Sequence, residues 1–245
     1  MTIPTVVCGR TGRMTRLIAG AVEQAPGVHL AARFTARGAA AATPGAPPVV
    51  ADLAHLSCST PVVVDFTAPE ATAALLRQAL THDCALVIGT SGLGAAERTL
   101  LAEVGRVRPV VAAANFSLAL LAVARFVREL AQQVDDSWDA GVLDVHFAGK
   151  RDRPSATARY LADQWRRPEE RGEAPEINAF RMGDAVSEHR LLAAGAGEHV
   201  EVLHRVADRA AFLPGVLRAV RFAATAPPGV HTLEDVARTP LPAAR

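Results

Sequence analysis

The sequence predicts an α/β protein in two parts: a parallel sheet covered by helices, then a second α+β domain built on a mixed sheet. Three observations predict it. Apolar runs alternate with helical repeats through the first half of the chain, the pattern of a parallel sheet with helical crossovers. The turns that close the apolar runs carry glycine and polar residues, and such sheets bind ligands at that edge. Beyond residue 118 the alternation gives way to one long amphipathic segment and then to strand-like runs without helices between them, which suits an antiparallel or mixed sheet.

The elements follow in order. IPTVVCG (3–9) is a strand ending at glycine, and RMTRLIAGAVEQA has apolar residues at helical spacing. VHLAARF (28–34) is a second strand. The Ala- and Pro-rich stretch after it reads as loop. PVVVDFT (61–67) is a strand, and PEATAALLRQALTHD is a helix opened by a first-turn proline. CALVIGTSG (84–92) and PVVAAANFS (109–117) are strands on either side of the helix AAERTLLAEVGR. LALLAVARFVRELAQQV (118–134) is a long amphipathic helix. AGVLDVHF (140–147) is a strand, followed by a helix from near Ser155 to Trp165 and a charged loop. INAFRMG, SEHRLLAAG and EHVEVLHRVA are three further strands, and the helix PGVLRAVRFAATA leads into the tail.

Composition narrows the function classes. Formal net charge is +1, with no basic stripe of the kind nucleic-acid binding requires, so no nucleic-acid partner is expected. No apolar run reaches the ~18 residues of a spanning helix, and MTIPTVVCGRTG lacks the charged start and apolar core of a signal peptide. A cytoplasmic protein without membrane contact is the expectation. Cys8, Cys58 and Cys84 are far apart, which argues for free, mostly buried thiols. No His, Cys or Asp cluster has ligand spacing, so no metal is expected.

Lys150 is the sole lysine among 26 lysine and arginine residues. Arginine bias of this strength reflects base composition, with arginine replacing lysine wherever either serves. A surviving lysine then marks a place that needs a group able to lose its proton, or it survives by chance at the surface. Composition alone leaves both open.

Cys8-Gly9-Arg10-Thr11-Gly12-Arg13-Met14-Thr15 lies between the first strand and the first helix. Gly9 suits a tight turn and Gly12 a close backbone approach to a pyrophosphate at the helix start. Thr15 stands where a third glycine is usual, so the Rossmann fingerprint is incomplete. The second strand ends without the carboxylate that holds ribose hydroxyls in NAD binders. Arg33 and Arg37 are placed instead to hold a 2′-phosphate, which leans toward NADPH over NADH.

These motifs, in this order, resemble the dihydrodipicolinate reductase family of the diaminopimelate branch of lysine biosynthesis. The likeness includes CGRTGRM, VVVDFTAPE, VIGTSGL, AAANFS, VHFAGKRDRPSATA, GDAVSEH, GAGEHVEVLHRVADR and FLPGVLRA. It implies an NAD(P)H-dependent oxidoreductase that transfers hydride to a cyclic, unsaturated, imine-like amino acid. It implies a Rossmann-type nucleotide domain of residues 1–117 plus 213–245 and a substrate and oligomerisation domain of residues 118–212, usually tetrameric through the sheet of the second domain. Gly9 through Met14 would wrap the dinucleotide. Gly89, Thr90 and Ser91, with Ala113, Ala114, Asn115 and Phe116, would line its nicotinamide half. His146 and Lys150 would carry the chemistry. Ser155, Ala156 and Thr157 would start a helix that binds a substrate carboxylate, beside Phe147.

The chain departs from the family where the resemblance places the substrate. Phe147 stands for the second of two adjacent histidines, and Ala156 for a glycine. Arg151 and Arg153 flank Asp152, and Ala119 and Leu121 replace a glycine and an asparagine. Lost polar partners change substrate choice strongly, so a divergent reductase acting on a different small imine or enoate acid in specialised metabolism is a competing expectation. A non-catalytic nucleotide-binding homologue is a third, and the retention of both His146 and Lys150 speaks against it.

Overall fold

A computed structural model describes residues 2–36, 38, 45–166 and 174–239. Arg37, expected at a 2′-phosphate, lies outside the described residues. The chain divides into two compact units, Met1–Phe116 with Phe212–Arg245, and Ser117–Ala211.

The first unit is a seven-stranded sheet in the order β11-β6-β5-β4-β1-β2-β3. Its strands are β1 (Ile3–Cys8), β2 (Val28–Phe34), β3 (Val49–Val50), β4 (Val62–Asp65), β5 (Ala85–Ile88), β6 (Pro109–Ala112) and β11 (Gly229–His231). Every recorded pairing in it is parallel. The helices are α1 (Arg13–Gln24), α2 (Pro69–Ala79), α3 (Ala95–Gly105), α6 (Leu213–Ala223) and α7 (Leu233–Arg238). The middle strands are buried on both faces, which is why β4 and β5 read as unbroken apolar runs rather than alternating ones. Helix α1 buries Thr15, Ile18, Ala19 and Val22, the i, i+3, i+4, i+7 stripe that its sequence spacing predicts. Cys8 and Cys84 are buried free thiols and Cys58 is half-buried.

Two additions lie where the sequence reads as loop or tail. Strand β3 is two residues long, too short to leave a periodic signal, and it extends the sheet beyond β2. Strand β11 pairs with β6 at the other edge. It leads into α7 through a reciprocal cap, in which Thr232 Oγ1 accepts from Asp235 N at 3.2 Å and the Asp235 carboxylate accepts from Thr232 N at 2.8 Å.

The second unit is a four-stranded sheet in the order β10-β9-β7-β8, formed by β7 (Asp139–His146), β8 (Glu176–Arg181), β9 (Ser187–Gly195) and β10 (Glu198–Val206). Helices α4 (Leu118–Gln133) and α5 (Ala156–Trp165) complete it. The sheet is mixed: β7 and β8 run parallel across the α5 crossover, and the other pairs are antiparallel. Val127, Val142, Ala158, Ala162, Leu191 and Ala193 form its apolar core. Burial alternates along β7, so Val142, Asp144 and His146 all point inward.

Candidate active site

In the first unit the chain leaves β1 for β2 on one side, while β4 pairs on the other. That reversal is a topological switch point, where open α/β sheets bind their ligands. A cavity of about 530 Å³ sits there, against the carboxyl ends of β1, β2 and β4. Gly9, Arg10, Thr11 and Gly12 line it, as the sequence places them. Gly9 has φ +90°, and a Cβ on it would lie 2.9 Å from Thr15 Oγ1 and 3.2 Å from Thr67 Cγ2. The start of α1 at Gly12 has no side-chain cap and no acidic residue in its first turn. Its N–H groups are therefore available to an anion, and the cradle fits a pyrophosphate. Thr15 explains the incomplete fingerprint. It is buried, and its hydroxyl donates to Cys8 O at 3.1 Å, joining α1 to β1 where a third glycine would let them pack by bare contact.

The cavity is also lined by Asp65, Phe66 and Thr67, which sequence reasoning did not single out. Buried Asp65 accepts from Thr67 N at 3.0 Å, from Thr67 Oγ1 at 2.5 Å and from Thr72 Oγ1 at 2.5 Å. The signal was present as the polar turn closing PVVVDFT. The Phe66 ring lies so close to Gly89 that a Cβ there would be 2.2 Å from it, and its centroid is 5.0 Å from that of Phe116. Thr90 is buried and its hydroxyl bonds Thr72 at 2.9 Å. Ser91 is exposed in the turn after β5, and Ala113, Ala114 and Asn115 follow β6. Arg13 and Met14 open α1, and Arg33 lies on β2 with its N–H bonded to Pro48 O at 2.8 Å. None of these last residues borders the 530 Å³ cavity.

The second unit holds a buried polar knot centred on Asp144, which is fully inaccessible. Strand register sets it up: His189 pairs directly opposite Asp144, and His204 opposite His189. Asp144 accepts from Ser155 N at 2.8 Å, Ser155 Oγ at 2.9 Å and Arg181 Nη2 at 2.9 Å. His146 Nδ1 lies 2.9 Å from Asp144 Oδ1, at an angle poorer than a straight hydrogen bond needs. His189 Nε2 is 3.5 Å from the same oxygen. Burial alone would raise the Asp144 carboxyl. The contacts from His146, Ser155 and Arg181 override it and hold the group well below the usual carboxylate range. Burial, reinforced by His146, pushes His189 down to about 3, against the pull of Asp144. His189 is therefore neutral, with Ser155 Oγ and Ser187 Oγ each 3.3 Å from a ring nitrogen.

The strand ends at His146 and turns at once: Lys150 N donates to Phe147 O at 3.1 Å, so the four-residue spacing is a tight turn and not a helical one. Lys150 is half-buried, and its Nζ lies 2.7 Å from Asp152 Oδ1. Phe147 is half-buried beneath the Arg209 guanidinium, 5.8 Å from its ring centroid. Ser155 caps α5 by accepting from Ala158 N at 3.0 Å. Its own N–H and hydroxyl are committed to Asp144. Ala156 is exposed at the first turn, and Thr157 is buried. Donor atoms of Asp144, His146 and His189 fall within 4.8 Å of one another. This proximity is invisible in linear spacing, and Arg181 already supplies the cation beside that carboxylate.

A cavity that fits a pyrophosphate at a sheet switch point, in a two-unit chain that also holds a histidine and a lysine each beside a carboxylate, suits a nucleotide-dependent oxidoreductase. Residues 3–116 match the family model for the dihydrodipicolinate reductase N-terminus and residues 119–237 that for its C-terminus. A 4-hydroxy-tetrahydrodipicolinate reductase of Rubrobacter xylanophilus is 36% identical, over 96% of this chain and 98% of that protein. The enzyme of the same name from Alkalilimnicola ehrlichii is 32% identical, over 96% and 99%. The fold is similar to that of the dipicolinate-bound dihydrodipicolinate reductase of Paenisporosarcina sp. TG-14, with a TM-score of 0.74 at 19% identity over 96% of this chain and 99% of that one. The chain belongs to the dihydrodipicolinate reductase family. No helix among the described residues is long and apolar enough to cross a membrane.

Proposed function

We propose that the protein reduces a dihydrodipicolinate-type acid with NADPH or NADH, using His146 and Lys150 as its catalytic residues. The bound nucleotide supplies the hydride. Hydride addition to a conjugated imine leaves an electron pair on nitrogen or carbon that must take up a proton. The Lys150 ammonium offers both a cation beside that charge and a proton for it, and Asp152 keeps it oriented. His146, with Nδ1 turned to Asp144, leaves Nε2 for the substrate. The start of α5 at Ala156 and Thr157 receives a substrate carboxylate. The observation that carries this reading is the segment 144–157. One strand end, one turn and one helix start carry a histidine and a lysine, each beside its own carboxylate.

The test is steady-state reduction of 4-hydroxy-tetrahydrodipicolinate, followed by nicotinamide absorbance. Lys150→Ala should lower kcat by roughly 10²–10⁴-fold and leave NADPH affinity, read by fluorescence titration, unchanged. Full turnover by that variant would defeat the assignment.

One observation favours a second substrate within the same class. Phe147 presents an aromatic wall under Arg209 in the turn between His146 and Lys150. A related cyclic imine acid with less polar substituents suits that wall, and kcat/KM across a panel of imine acids decides between the two.

We also propose that the protein assembles through the outer face of the β10-β9-β7-β8 sheet. Phe180, Leu192 and Leu203 are exposed on its strands, with Met182 exposed just past the end of β8. A cytoplasmic homotetramer is the expected form. Light scattering should give a tetramer mass, and Leu192→Lys should shift it toward dimer or monomer; a wild-type monomer would end this proposal.

A further inference from the structure

Arg181 was not among the residues the sequence singled out, and nothing in the proposed chemistry requires it to touch substrate. Its position at the end of β8 is nonetheless distinctive. Register pairs it with His146 on the parallel neighbour β7. Its side chain is almost fully buried. Nη2 donates to Asp144 Oδ2 at 2.9 Å and also to the backbone carbonyl of Asp152 at 2.5 Å. Nη1 donates to Phe180 O at 2.7 Å and reaches Asp144 O at 3.3 Å. Asp144 is the carboxylate under His146. Asp152 is the residue whose side chain holds Lys150. One guanidinium therefore joins the support of the histidine to the support of the lysine.

We infer that Arg181 is a positioning residue, a buried clamp that fixes His146 and the Lys150-bearing loop relative to each other. The inference rests on the assignment of His146 and Lys150 to the reaction.

The chemistry of the guanidinium suits this task. It is always charged, so it compensates the buried carboxylate at every working pH. Its planar fork presents several donors at fixed angles, so a single side chain reaches a carboxylate and three backbone carbonyls together. The loop from Phe147 to Pro154 lies outside any helix or strand and needs such a tie to keep Lys150 in one place. The backbone contributes further ties at the same end of β8: Met182 N donates to His146 O at 2.9 Å, and Ala148 N donates to Gly183 O at 3.1 Å. These hold the strand end and the first half of the turn. The Asp152 carbonyl, beyond Lys150, is held by Arg181. Lysine at this position would keep a charge beside Asp144 but could not span both acceptors with fixed geometry.

The experiment uses the full chain and three variants. Arg181→Met removes the charge and the clamp at similar length. Arg181→Lys keeps the charge and loses the bridge. Arg181→Met combined with Asp144→Asn removes both charges, so that no unpaired carboxylate is left buried. Each is assayed for kcat and KM with 4-hydroxy-tetrahydrodipicolinate, for NADPH affinity by fluorescence, and for the ring-nitrogen tautomer of His146 by ¹⁵N shifts.

Arg181→Met should lose on the order of 100-fold in kcat, the scale of a displaced catalytic group. NADPH affinity should hold within about 2-fold, and the His146 ring-nitrogen shifts should change from those of the parent. Arg181→Lys should recover part of kcat. A kcat within about 3-fold of the parent in Arg181→Met or the double variant overturns the inference. So does loss of the folded state in all three variants, which would make the residue purely structural. Lys150→Ala and His146→Ala run beside them. If those two keep full turnover, the assignment of the site itself fails; if they lose it while the Arg181 variants do not, only the clamp fails.

Discussion

In the first unit the surface proposed to meet the nucleotide is largely backbone: Gly9 at φ +90°, the uncapped start of α1, and the turn after β4. In the second unit the proposed catalytic surface is side chains, and these are set by other side chains, with Asp144 hydrogen-bonded to Ser155 and Arg181 at 2.8–2.9 Å and 2.9 Å from His146 Nδ1. The two plans suit two tasks. A dinucleotide is held along its length by many N–H groups, so a shaped backbone suffices. Proton delivery needs one atom at one place, so the group must be locked by its neighbours. The cost of the second plan is a set of polar groups buried away from water, stable only while each keeps its protonation state.

Acid should expose that difference most strongly. His189 is pushed down to about 3, chiefly by burial, and His204 is lowered by the same cause. As pH falls below the unfolded value of 6.5 the unfolded chain takes up a proton that folded His189 refuses, so stability is lost on going down, until the folded value is reached. The loss is up to about 1.4 kcal/mol per pH unit, or about 2–3 kcal/mol by pH 4.5. Asp144 enters only further down. Its folded value is depressed, so its contribution is complete above the unfolded carboxylate range and is lost below it. The probe is built in: the chain's two tryptophans, Trp138 and Trp165, pack against the core of the second unit. Their fluorescence on acid titration reads that unit alone. His189→Gln should flatten the stability curve between pH 6.5 and 4.5, and an unchanged slope would show that this histidine does not set acid lability.

The same contrast decides what the sequence reveals. The cradle is a local motif, since Gly9 and Gly12 sit in one turn whose place after a strand can be read directly. His146 and Lys150 are singled out by the resemblance to the family motif, since composition leaves the sole lysine open between function and chance. The groups that hold them are not. Asp144, Ser155, Arg181 and His189 come from β7, the cap of α5, β8 and β9, and only strand register brings them together. Register depends on turn geometry and on which face is buried, and neither is local in sequence. Short elements escape for another reason: β3 and β11 have two and three residues, too few for a two-residue alternation to repeat. Ser155 was expected at a helix start that binds a substrate carboxylate. That oxygen and the Ser155 N–H instead serve Asp144, a use that spacing cannot distinguish from a free cap.

The smallest effect tests whether the cradle depends on side chains at all. Thr15 fills the third glycine position, and its hydroxyl bonds Cys8 O at 3.1 Å in a buried setting. If it acts by packing α1 to β1, Thr15→Val should cost about 1 kcal/mol, the worth of one buried hydrogen bond. Thr15→Gly, which completes the fingerprint, should cost only about 0.3 kcal/mol more through helix propensity. Calorimetry measures both, since neither tryptophan lies in this unit. NADPH affinity should stay within about 3-fold in both variants, because the groups proposed to meet the pyrophosphate are backbone N–H groups. A glycine variant that bound NADPH ten times more tightly would mean that the threonine methyl stands in the nucleotide's path, and the cradle would then be shaped by a side chain as the polar knot is.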